Sequence, residues 1–71
     1  MTKIVLFLAL VVGENKYEWT TFKVETIFTC YELFNAAVEF KTKHGVGTYP
    51  EFLGKPVAAY YCKDEQGNYV R

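Results

Sequence analysis

The run IVLFLALVV, residues 4–12, is nine apolar residues without a polar break, and it opens a chain of 71 residues. Its reading decides the fold. A bilayer-crossing helix needs about 20 such residues, so the run is too short for a membrane span. A signal peptide is the closer rival, since Lys3 supplies a basic start. No Ala-x-Ala-like cleavage site follows, however, and Gly13-Glu14-Asn15 reads as a turn. A short run rich in Val, Ile and Leu that stops at a turn cluster is a β-strand. Because apolar residues do not alternate with polar ones, both of its faces are expected to be covered.

The next stretch, Tyr17-Glu18-Trp19-Thr20-Thr21-Phe22-Lys23-Val24, is dominated by β-branched and aromatic residues and predicts a second strand. A tight hairpin through Gly13-Glu14-Asn15-Lys16 sets Val12 opposite Tyr17, Leu10 opposite Trp19 and Phe7 opposite Phe22. Side chains alternate along a strand. One face of the hairpin then carries Val5, Phe7, Ala9 and Val11 with Phe22 and Val24. The other carries Ile4, Leu6, Leu8, Leu10 and Val12 with Tyr17 and Trp19.

Thr29-Cys30-Tyr31-Glu32 is a Thr-x-x-Glu capping box. It predicts a helix from about Cys30 to about Lys43, with Leu33, Phe34, Ala37, Val38 and Lys41 on one face and Gly45 as its stop. The stretch 46–56 reads as an ordered loop in which Pro50 starts a short helical turn. Val57–Lys63 and Asn68–Arg71 read as a hairpin around Asp64-Glu65-Gln66-Gly67. The expected fold is a single α+β domain over residues 1–71, in the order ββαββ, with one helix packed on a four-stranded sheet. In element order this resembles the β-grasp arrangement of ubiquitin-like and immunoglobulin-binding domains. No functional residue is carried over from that resemblance.

One helix covers one face. Assigning it the Val5-Phe7-Phe22-Val24 face lets Lys23 and Glu25 point outward and leaves the leucine face open. Each aliphatic side chain left in water forgoes about 1.5–3 kcal/mol, and a chain this short is marginal. The open face is therefore expected to meet a second copy, another protein, or the Tyr49–Leu53 loop. Its contact residues are Leu6, Leu8, Leu10, Tyr17, Trp19, Tyr60 and Tyr69, the last two placed there by the second hairpin. Tyr and Trp are the residue types enriched at binding hot spots.

The chemistry of the remaining residues is sparse. Eight Lys and Arg balance eight Asp and Glu. A nucleic-acid binder shows a basic surplus, and this chain has none. Lys41, Lys43 and Lys55 with Tyr49 form the alternative site, a basic helix end beside a ring able to stack on unpaired bases. Cys30 and His44 stand at opposite ends of the expected helix, about 21 Å apart, beyond the reach of a catalytic pair. With a single His and no Cys-x-x-Cys, no zinc site is expected. Asp64 and Glu65 read as turn residues. No glycine pattern of a phosphate loop precedes a helix. Cys30 and Cys62 are an even pair that permits a disulfide, but two cysteines are few for a secreted scaffold, and the favoured reading is reduced, buried hydrophobes in a cytoplasmic protein.

These features point to a non-enzymatic, cytoplasmic binding domain without cofactor or metal, working on itself or another protein and not on a membrane. Phage and mobile-element accessory proteins that block a host enzyme are often of this kind.

Overall fold

The structure is a computed structural model and describes residues 2–71. Strands β1 (Thr2–Gly13) and β2 (Lys16–Thr26) precede helix α1 (Cys30–Ala37). Strands β3 (Glu39–Lys43), β4 (Gly47–Phe52), β5 (Lys55–Asp64) and β6 (Tyr69–Val70) follow it. The sheet runs β2-β1-β5-β4-β3, with β6 also paired to β5. The opening run lies inside β1, hydrogen-bonded to β2 on one side and β5 on the other.

The expected ββαββ order with a four-stranded sheet does not hold. The molecule is mostly sheet, 66% strand and 11% helix, and the β-grasp likeness goes with the order that suggested it. The difference arises after Ala37. Thr29 caps α1 as the capping box predicts, its hydroxyl accepting from the Glu32 N–H while Glu32 accepts from the Thr29 N–H. Val38, however, turns extended at ψ 160°. From there Val38, Phe40 and Thr42 alternate with Glu39, Lys41 and Lys43, a two-residue period with β-branched members. Gly45, at φ +84°, reverses the chain as a hairpin turn and not as a helix stop. Expected loop residues 47–52 are β4, and the two-residue Leu53-Gly54 turn, with both φ positive, leads into β5.

The β1–β2 ladder holds the second correction. Val12 is an extra residue in β1, a bulge between Val11 and Gly13. Leu10 consequently faces Glu18 instead of Trp19, and Phe22 faces Leu6 instead of Phe7. A one-residue slip exchanges the faces of a strand. Helix α1 lies on the leucine face. Ile4, Leu6, Leu8 and Leu10 form the core with Cys30, Phe34, Val38 and Cys62, and Phe22, Val24, Tyr60 and Val70 pack around them. Leu6 and Leu8 are fully buried. The leucines expected as an open contact surface are the centre of the core.

Cys30 and Cys62 are joined in a disulfide, contrary to the expected reduced pair. The bond ties the first residue of α1 to the middle of the sheet. Among the described residues no helix is long and apolar enough to cross a membrane.

Candidate functional site: the open aromatic face

Among the described residues no element lies over the side of the sheet away from α1. Its residues follow from the register. Across β2, β1 and β5, Thr21, Phe7 and Tyr61 make one row, and Trp19, Ala9 and Ala59 make the next. Lys23, Val5, Lys63 and Tyr69 make a third that reaches β6. Val11 and Tyr17 pair beyond Trp19.

The rings on this face touch one another. Phe7 and Tyr61 are stacked with centroids 4.5 Å apart. Trp19 and Tyr69 each meet Tyr61 edge-on at 5.5 Å. Lys63 Nζ lies 5.0 Å from the Tyr69 centroid and 5.8 Å from that of Tyr61. Trp19 has room to lean because its neighbours in the row are alanines. Offset and edge-on ring pairs contribute about 0.5–1.5 kcal/mol beyond burial, so the cluster is held in place before any ligand arrives. Its outer members remain largely in water, Trp19 54% and Tyr69 73% exposed, as does Tyr17 at 58% farther along the same face. Lys3, Lys23 and Lys63 frame the rings. Lys3 pairs with Glu65 at 3.5 Å.

Of the residues expected on the contact face, Tyr17, Trp19 and Tyr69 lie on this open side. Leu6, Leu8 and Leu10 lie under the helix because of the Val12 bulge. Tyr60 also lies there, stacked on Phe34 at 3.8 Å, because it shares its side of β5 with Cys62. Phe7, Tyr61, Val5, Val11 and Lys63 were missed. A signal for them was present in the cysteines. Cys30 begins the helix, so a Cys62 bonded to it must face the helix, and Tyr61, its neighbour, must then face away.

Of the alternative basic site, Lys41 and Tyr49 are cross-strand partners and Lys43 shares their side of the hairpin, while Lys55 lies apart. Lys41, Lys43 and Tyr49 sit on the β3–β4 hairpin and not at a helix end. Lys41 forms an ion pair with Glu39 at 3.2 Å. The hydrogen bond and charge of Glu39 hold its ammonium above the usual lysine range, and Glu51 adds to the effect. Tyr49 is raised above the ordinary phenol range, first by its hydrogen bond to Glu51 and then by burial. Lys55 pairs with Glu18 at 3.3 Å. Lys43 lies opposite Gly47, five residues along β4 from the partner of Lys55, or about 17 Å at strand spacing. Two of the three lysines are thus already matched by carboxylates.

The other candidate groups have structural places. Asp64 Oδ1 accepts from the Gln66 and Asn68 N–H groups, each at 2.9 Å, and closes the β5–β6 turn. His44 is exposed in the β3–β4 turn. Among the described residues no three His, Cys, Asp or Glu side chains are grouped to hold a metal ion. Comparison of the chain with family models, with curated proteins and with solved structures finds no match.

Proposed function

We propose that the protein is a non-enzymatic binding domain that engages another protein through the open aromatic face, with Phe7, Tyr17, Trp19, Tyr61 and Tyr69 as the contact. The observation that carries this reading is the ring cluster itself. Several aromatic side chains, packed on one another and partly left in water on the uncovered side of the sheet, form a preorganised apolar surface of the type that marks interaction sites. Little side-chain entropy remains to be lost when a partner docks. A domain of this size acts by occupying a surface, and blocking an enzyme's working face is one action within its reach.

The cytoplasmic location expected from reduced cysteines loses its support once Cys30 and Cys62 are bonded, since such bonds persist in oxidising compartments. The proposed partner is therefore met outside the reducing cytosol.

The test is capture of binding proteins by the wild-type chain and by Tyr69→Ala in parallel, at low and high salt. Tyr69 is exposed, so its loss leaves the fold intact. A protein retained by wild type at high salt and lost from Tyr69→Ala supports the reading. Equal retention by both contradicts it. Oligothymidine serves as the second probe: binding that collapses as salt rises would point instead to single-stranded nucleic acid.

A further inference from the structure

Strand β2 ends the sheet. One of its edges is bonded to β1, and among the described residues no strand lies on the other. It is eleven residues long, and none of them is buried. A long exposed edge of this kind presents a row of free N–H and C=O groups, ready to pair with another strand. The usual protections are missing. The strand carries no proline, among the described residues no element covers its outer edge, and its two lysines, Lys16 and Lys23, are cancelled by Glu18 and Glu25. Nothing in its charge repels a second β2.

We propose that two copies of the chain pair through β2, antiparallel, in the register that sets Thr21 against Thr21 of the partner. The register follows from the strand. Full overlap of Lys16–Thr26 with itself centres on Thr21, because an eleven-residue strand has a middle residue. Each residue then faces a partner residue of the same parity, so the two open faces join on one side and the two helices lie on the other. A slip by one residue would set rings against the partner's helix side. In the centred register Lys23 faces the partner's Trp19, a cation over an indole. Glu25 faces the partner's Tyr17, Glu18 the partner's Val24 and Lys16 the partner's Thr26. No charge faces one of like sign, which would oppose pairing. The two threonines at the axis are able to exchange a hydrogen bond.

This pairing completes the aromatic surface. Trp19 and Tyr17 of each copy sit at the edge of a single sheet, and in the pair they become its centre, with Lys23 supplied from across the axis. The pairing does not rest on what the open face binds. Tyr69 lies on β6, away from β2, so Tyr69→Ala tests that face without touching the pairing.

The experiment is molar mass by light scattering over a concentration series. The wild-type chain, 8.2 kDa, is expected to approach twice that mass as concentration rises. Thr21 is exposed, and Thr21→Lys and Thr21→Glu each set like charges at the axis. Each variant alone is expected to dimerise at least tenfold more weakly than wild type, and an equimolar mixture of the two is expected to recover the doubled mass. A wild-type mass of one chain at every concentration overturns the proposal. So does a Thr21→Lys dimer as tight as wild type, or a mixture that stays monomeric. Amide exchange on the wild-type chain needs no variant. The outward N–H groups of β2 are expected to slow as concentration rises, and unchanged exchange at those groups likewise overturns the pairing.

Discussion

Val12 is one residue, and it decides which side of β1 meets the helix. Nothing in its chemistry marks it, since Val11 and Val12 are identical side chains and only the ladder shows which is extra. What the sequence did carry was the size pattern: Ile4, Leu6, Leu8 and Leu10 are large aliphatics of one parity, and Ala9 interrupts the other. The consequence is testable by truncation. Leu8→Ala is expected to destabilise by about 2–5 kcal/mol, as for a fully buried leucine, while Tyr17→Ala on the open side stays within about 0.5 kcal/mol. Urea denaturation of both variants measures the difference. The capping box, by contrast, was fully legible, because it is local. Thr29→Ala is expected to cost about 1 kcal/mol. The hydrogen bonds from the Thr29 backbone and hydroxyl hold the Glu32 carboxyl below the ordinary glutamate range. A carboxyl lowered on folding adds stability above its unfolded value and loses it as the pH falls through its native value. Glu32→Gln is therefore expected to flatten the acid limb of stability against pH, with little change in its alkaline limb.

At the scale of elements, the hairpins at the two ends of the chain were legible and the middle was not. Residues 30–43 fit a helical face as far as Val38, and then a two-residue period as far as Lys43. The helical expectation extends past Val38 because Lys41 and Lys43 suit a helix end as well as a solvated strand. By sequence Pro50 suits the start of a short helical turn. It sits in β4 opposite Phe40, in the peripheral hairpin rather than the central ladders. The β4–β5 ladder ends after Phe52–Lys55 and Glu51–Pro56, at the point where Pro50, with no N–H to give, would come next. The β3–β4 hairpin is thus joined to the sheet by two residue pairs, helped by Phe52 edge-on to Phe22 and Phe40 edge-on to Phe34, and every β3 residue is exposed. Its amides are expected to exchange with solvent well before those of β1, which is paired on both sides. Exchange followed residue by residue checks this. Protection of β3 equal to that of β1 would mean that the hairpin is docked more firmly than its ladder suggests.

For the whole molecule, a buried disulfide joins helix α1 to the sheet. The helix has eight residues, too few to persist alone in water. Its place on the leucine face depends on Phe34, Val38 and the Cys30–Cys62 bond. Closing a loop with a sequence separation of 32 contributes about 3–4 kcal/mol by constraining the unfolded chain, a large share of the roughly 5–15 kcal/mol typical of a domain. Cys30→Ser with Cys62→Ser is expected to lower the urea midpoint strongly, and an unchanged midpoint would show that the bond contributes little. The count of two cysteines hid this from the sequence, because sparse cysteines suit a reduced protein equally well. The same bond fixes which way β5 faces and so turns Tyr61 and Tyr69 to the side where the β1–β2 register puts Phe7 and Trp19.

The central claim is that α1 covers the leucines and leaves those rings free. Proton–proton contacts in solution from the Phe34 ring test it most directly. Contacts to Tyr60 and the Leu6 and Leu8 methyls, with separate contacts among Phe7, Trp19, Tyr61 and Tyr69, are the expected result. Contacts from Phe34 to Phe7 or Val5 would put the helix on the other face and contradict the account.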